Sequence, residues 1–171
     1  MPRVLSPETI ARIDAACEHY PTRMAAMIPA LHMVQDELGH VTREAALDVA
    51  DALDVPPTRV NEVVTFYTML YNRPVGEHVV KICRNLACQL RGADQLIAKA
   101  REILGIELGE TTADGKVTLD VDECLASCGT APMLWCRSRK EKTDGAPEVQ
   151  ERIVENLSVE KLEKLLGELT A

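Results

Sequence analysis

The spacing of apolar residues divides the chain into two halves. From residue 5 to about residue 71, apolar side chains recur every three or four positions, which predicts four short helices with short connections. Thr42 and the pair Pro56-Pro57 are residue types that begin helices. Pro29 falls inside the second predicted helix, at about 22–38, and is expected to kink it. The first half is therefore predicted to be a small helical bundle.

The second half alternates between strand and helix patterns. About 33 residues separate the first two predicted strands, which leaves room for a crossover helix and favours a parallel pair. A polar loop joins the next two strands, which favours an antiparallel pair. The predicted elements are strand 78–83, helix 92–104, strand 117–121, strand 133–137, strand 149–154 and a final helix after Ser158.

Together the two patterns predict the α/β class with two domains. The helical bundle is expected at 1–76 and an α/β domain, with helices packed on a sheet, at 77–171. Residues 72–76 are of the types that form turns and mark the boundary. A chain of 171 residues is long enough for two small domains, each with its own core.

Composition and charge narrow the range of partners. The formal net charge is −8, which repels nucleic acid and anionic lipid, so neither is an expected partner. No apolar run approaches the roughly 18 residues of a membrane span, and the amino end lacks the features of a signal peptide. A reducing compartment is therefore expected, in which the six cysteines favour metal or redox chemistry over disulfides.

Four of the cysteines form two close pairs. Four residues separate Cys83 from Cys88, and three separate Cys124 from Cys128. The first pair starts at the end of one predicted strand, and the second starts just past the end of the next. If these strands are parallel neighbours, both pairs reach the same edge of the sheet. Each iron of a [2Fe–2S] cluster needs two protein thiolates, so two such pairs suit one cluster.

The spacing leaves other uses of the cysteines open. Structural zinc also takes four thiolates, although tighter pairs such as C-x2-C are more typical of it, and a thiol–disulfide enzyme would favour that same spacing. The pattern differs from that of plant-type ferredoxins. Cys17, on the apolar stripe of the first helix, is expected to be a core residue. Cys136, in a predicted strand, is expected to pack in the core or near the cluster rather than to be a ligand. Because no G-x-G-x-x-G motif follows a strand, the chain is not expected to bind NADH.

The motifs C-x4-C and C-x3-C-G-x-A-P, the second at 124–132, resemble those of the thioredoxin-like [2Fe–2S] ferredoxins. Pro-Pro-Thr-Arg-Val at 56–60 and Val-Thr-Phe-Tyr-Thr-Met at 64–69 are similar to the helical amino-terminal part of one branch. That branch is the E subunit of bacterial NADH-quinone oxidoreductase (complex I) and its relatives. The resemblance extends from about residue 5 to residue 170.

The resemblance implies a thioredoxin-like fold for the carboxyl half and one [2Fe–2S] cluster. The implied ligands are Cys83, Cys88, Cys124 and Cys128. In this branch the amino half would help to dock the chain on a flavoprotein, the F subunit, which carries FMN and the NADH site. Other subunits of the peripheral arm would be further partners. The chain would exchange single electrons with that FMN, as part of an NADH dehydrogenase, and would bind no substrate itself.

The resemblance also implies a place in the cell, a peripheral arm on the cytoplasmic face of the inner membrane. Relatives of the branch serve soluble NAD-linked hydrogenases and formate dehydrogenases, and the chain alone does not separate these alternatives. In a thioredoxin-like fold, the Ala131-Pro132 peptide bond is a candidate for the cis form.

Overall fold

The structure is a computed structural model that describes residues 3–140 and 147–171. Helices and strands are both present within this part of the chain, which confirms the predicted α/β class. Two short 3-10 turns lie at Arg23–Ala26 and Cys128–Thr130. The elements are α1 (Pro7–Cys17), α2 (Met27–Leu38), α3 (Arg43–Leu53), α4 (Pro57–Phe66), β1 (His78–Cys83), α5 (Leu86–Leu90), α6 (Ala93–Leu104), β2 (Val117–Asp122), β3 (Leu134–Lys140), β4 (Glu148–Val154) and α7 (Val159–Thr170).

The described residues divide into two compact units. The first consists of residues 3–74 and Pro147, and the second of residues 75–140 and 148–171. The predicted boundary at residue 76 lies close to this division. None of the described helices is both long enough and apolar enough to cross a membrane.

The helical unit has a core to which all four of its helices contribute. Ser6 and Thr42 begin α1 and α3, because each side-chain oxygen accepts a hydrogen bond from a backbone N–H of the first turn. Gly39 ends α2 with a φ of 82°, in the left-handed region that glycine adopts without strain. Fully buried side chains from the four helices are Ile13, Leu31, Val49 and Val60.

Two expectations for the helical unit are wrong. Residues 23–26 form a 3-10 turn, so α2 begins at Met27 and Pro29 lies in its first turn rather than in its interior. The N–H groups of a first turn have no partner within the helix, so a proline there removes no helical hydrogen bond and gives no reason for a kink. The helical spacing of Val60, Val64 and Tyr67 predicts that the Tyr67 side chain faces the core, but α4 ends at Phe66 and Tyr67 is 41% exposed.

The second unit is a four-stranded sheet with the order β2-β1-β3-β4. The parallel pairing of β1 with β2 and the antiparallel pairing of β3 with β4 confirm the predicted pairs. Every residue of β1 is buried, as expected for a strand between two neighbours. Side chains of α6 and α7 share one core with the sheet, including Leu96 and Leu166. Because β1 and β2 are parallel and in register, both strands end at the same edge of the sheet.

Candidate functional site

The cysteine pairs follow the ends of β1 and β2. Cys83 is the last residue of β1, and its Cα lies opposite that of Asp122, the last residue of β2. The Arg84 N–H donates to the Asp122 carbonyl oxygen at 3.0 Å, which joins the two segments as they leave the sheet. Cys124 follows soon after β2, and Cys128 begins the second 3-10 turn. Parallel pairing thus brings both cysteine pairs to one edge.

Cys88 lies on α5, a five-residue helix that the sequence pattern did not reveal. The Asn85 side-chain oxygen accepts a hydrogen bond from the Leu86 N–H at 2.9 Å and caps this helix. Five residues are too few to show a helical period, so Asn85 was the only signal in the sequence. Leu86 and Leu90 remain 68% and 78% exposed on either side of Cys88.

The two pairs differ in their exposure to solvent. Cys83 and Cys88 are 2% and 1% exposed. They form a small apolar cluster with Met133 and two alanines, in which Met133 is itself 1% exposed. Cys124 and Cys128 are both exposed. A group held by all four sulfurs would therefore have one side in the protein interior and one side at the surface.

The sulfurs are arranged as two interacting pairs. Burial raises the pKa of the Cys88 thiol to about 11, and a hydrogen bond with Cys83 contributes to the rise. The pKa of Cys128 is also raised, chiefly by a hydrogen bond with Cys124. The charge of Cys83 also raises the pKa of Cys128, and the charge of Cys128 raises the pKa of Cys88, so each pair affects the titration of the other. No three His, Cys, Asp or Glu side chains of residues 3–140 and 147–171 are placed to hold one metal ion.

Backbone N–H groups point at one sulfur of each pair. The Ala126 N–H lies 3.4 Å from the Cys124 Sγ, in a residue with a φ of 62°. A backbone hydrogen bond from Met133 lowers the pKa of Cys88 and so partly offsets the effect of burial. Hydrogen bonds of this kind stabilise thiolates and help to set the potential of an iron–sulfur cluster. Two thiol pairs with N–H donors at their sulfurs fit a [2Fe–2S] cluster, which binds after the thiols lose their protons.

The loop that carries Cys128 contacts a residue that no sequence motif identified. One carboxylate oxygen of Glu155 accepts hydrogen bonds from the hydroxyls of Ser127 and Thr130, the second at 2.6 Å. These hydrogen bonds lower the pKa of Glu155. Glu155 follows Ser127 by 28 residues, so no local pattern could have revealed the contact.

The remaining two cysteines lie in the cores, which confirms their predicted burial; that neither is a ligand stays a prediction. Cys17 is 7% exposed in the core of the helical unit, and Cys136 is 1% exposed in the core of the sheet unit. Burial raises the pKa of Cys136. The Ala131-Pro132 peptide bond is cis.

Comparison with known proteins links the chain to iron–sulfur proteins. The model of a family described as "Thioredoxin-like [2Fe-2S] ferredoxin" matches residues 13–170. A Mycobacterium bovis protein named as the E subunit of NADH-quinone oxidoreductase is 38% identical over 137 residues, which cover 78% of this chain and 54% of that protein. The chain thus spans about half the length of that relative.

A second relative matches over more of its own length. It is a Rhizobium meliloti protein, named as the second E subunit of NADH-quinone oxidoreductase, and is 40% identical over 122 residues, which cover 71% of this chain and 73% of that protein. Among solved structures, an NAD+-reducing [NiFe]-hydrogenase has a similar fold, with a TM-score of 0.66 and 17% identity over 84% of this chain and 22% of that chain.

Proposed function

The chain belongs to the thioredoxin-like [2Fe–2S] ferredoxin family, and from this premise we propose that it is the electron-transfer subunit of an NADH-quinone oxidoreductase. In the proposed complex, FMN and the NADH site belong to the partner flavoprotein, the F subunit. This chain contributes a site for one [2Fe–2S] cluster, which supplies one-electron redox chemistry when it is bound. The chain exchanges single electrons with the FMN as part of a peripheral arm on the cytoplasmic face of the inner membrane.

One observation carries the assignment of the ligands, namely two mutually interacting thiol pairs at one edge of the sheet. We assign Cys83 and Cys88 to one iron and Cys124 and Cys128 to the other. The close spacing within each pair suits two ligands of the same tetrahedral iron. A mononuclear zinc site would need four sulfurs around one point, and the pairwise arrangement supports zinc less well.

The exposed side of the site gives the partner a surface to cover. Leu86 and Leu90 are exposed to solvent, four positions apart on the helix that carries Cys88. Large apolar side chains that cluster at the surface are typical of a site for protein interaction. We assign this face of α5 to contact with the flavoprotein, since electron transfer requires that partner to approach the exposed edge of the site.

Substitution of single cysteines tests the ligand assignment. Cys88 and Cys136 are matched, because each is 1% exposed and lies in a core cluster of the same unit. We expect Cys88→Ser to lose or alter the cluster and Cys136→Ser to keep its iron and sulfide content. The measurements are metal and sulfide analysis and low-temperature EPR of the dithionite-reduced protein. An unaltered cluster in Cys88→Ser would contradict the assignment.

Purification of the tagged chain from its own cells tests the complex. We expect a flavoprotein that contains FMN to co-purify, with iron rather than zinc in the preparation. Leu90→Asp should reduce the recovery of this partner and leave the cluster signal in place. Leu108→Asp, at an apolar residue 39% exposed in the loop before β2, is the control. Recovery of hydrogenase or formate dehydrogenase subunits instead would overturn the proposed complex, and a colourless zinc protein would overturn the cluster.

A further inference from the structure

The loop that carries the exposed cysteine pair contains little regular structure. Between β2 and β3 the only regular element in this described stretch is the 3-10 turn Cys128–Thr130, which covers three residues. Within the loop, the Thr130 N–H donates to the Ser127 carbonyl oxygen at 3.1 Å, which closes the turn around Cys128 but does not attach it to the rest of the unit. The position of Cys128 therefore depends on what the loop contacts.

The segment that joins β4 to α7 makes those contacts. The Asn156 N–H donates to the Thr130 carbonyl oxygen at 2.7 Å, and the Leu157 N–H donates to the Pro132 carbonyl oxygen at 2.8 Å. These two backbone hydrogen bonds hold the end of the loop. They do not reach the residue that precedes Cys128.

Glu155 contacts Ser127, the residue that precedes Cys128. Its carboxylate accepts one hydrogen bond from the Ser127 hydroxyl and one from the Thr130 hydroxyl, so that it holds the loop on both sides of Cys128. The Lys161 Nζ donates to the Glu155 carbonyl oxygen at 3.0 Å and fixes the backbone from which this side chain extends. Hydrogen bonds to a charged carboxylate are stronger than those between neutral groups.

We propose that Glu155 is a positioning residue that fixes the loop around Cys128 and places one negative charge beside the exposed cysteine pair. This inference rests on the proposed role of Cys128 as a ligand. Without the carboxylate, the Ser127 and Thr130 hydroxyls, 2.9 Å apart, keep partners only within the loop, so the loop is attached less firmly and would hold Cys128 in place less well. Loss of the charge alone makes a cluster easier to reduce, because a nearby anion opposes the arrival of an electron.

The test compares three variants of the full-length holoprotein. Glu155→Ala removes both the acceptor and the charge, whereas Glu155→Gln keeps an oxygen acceptor and removes only the charge. Glu168→Gln is the control, since it removes one charge from an exposed glutamate near the end of α7 that pairs with Arg152 at 3.4 Å. The measurements are the rate of cluster loss to excess chelator, the EPR spectrum of the reduced protein and its reduction potential.

We expect Glu155→Ala to lose its cluster several-fold faster than the wild type and to show an altered EPR spectrum. Glu155→Gln should lose its cluster at a rate between those of the wild type and Glu155→Ala, and its reduction potential should be raised. Glu168→Gln should match the wild type in all three measurements. If Glu155→Ala does not fold, the double variant Ser127→Ala/Thr130→Val removes the donors and carries the same expectation.

Two results would overturn the role of Glu155. One is a Glu155→Ala protein whose rate of cluster loss and EPR spectrum equal those of the wild type. The other is a reduction potential that changes equally in Glu168→Gln and Glu155→Gln. Either result leaves the proposed function intact as long as the wild type contains iron and sulfide. A wild-type protein without a cluster would instead end the proposed function.

Discussion

Met133 covers the buried pair of cysteines, and its truncation should weaken both the fold and the retention of the cluster. The side chain is 1% exposed and packs with Cys83 and Cys88. Removal of a buried methionine side chain beyond Cβ costs about 2–5 kcal/mol, and the cost is higher where the neighbours cannot fill the space. The other buried apolar residues of this cluster, Ala93 and Ala131, have short side chains that cannot do so, and Leu125, which packs against it, is only partly buried. We therefore expect Met133→Ala to cost about 3 kcal/mol or more.

The assay is urea unfolding of the holoprotein, together with the rate at which excess chelator removes the cluster. Met133→Leu conserves volume and should cost less than about 1.5 kcal/mol. Met69→Ala, at a methionine that is 50% exposed, should change stability by no more than about 0.5 kcal/mol. Faster cluster loss in Met133→Ala would show that the side chain keeps water from the buried sulfurs. A stability equal to that of Met69→Ala, with unchanged cluster loss, would refute this reasoning.

Three further predictions concern the two cores. Gln35→Leu removes the side-chain oxygen that accepts from the buried Tyr71 N–H at 2.7 Å, which should cost about 1–3 kcal/mol in urea unfolding; an unchanged midpoint would contradict it. Gly76→Ala places a Cβ 2.7 Å from the Lys116 carbonyl oxygen, so overpacking should cost about 1–3 kcal/mol, and a more stable variant would contradict the steric argument. Burial lowers the pKa of His78 in the folded state, so stability is full above about pH 6.5 and falls as the pH drops toward the lowered value. His78→Gln should flatten this dependence in unfolding midpoints measured across that range, and an unchanged slope would refute it.

The sequence by itself determined the types of the main elements and their order. Strand β1 lies where the run of apolar residues predicted it, and α7 begins after Ser158 as its capping chemistry indicated. These features depend on residues that are close in sequence, because hydrophobic period and capping act within one or two turns. The spacing of the cysteines is also local within each pair, and the parallel pairing of two neighbouring strands was enough to bring the pairs together.

Only the tertiary structure decided how the site is surrounded. The start of α2 after a 3-10 turn and the short helix α5 were not evident from the sequence, since short elements carry too few residues to show a period. The burial of one cysteine pair and the exposure of the other depend on which side chains pack at the edge of the sheet. The contact of Glu155 with Ser127 joins segments 28 residues apart. Such contacts form only when folding brings distant strands and loops into register, and no local pattern records them.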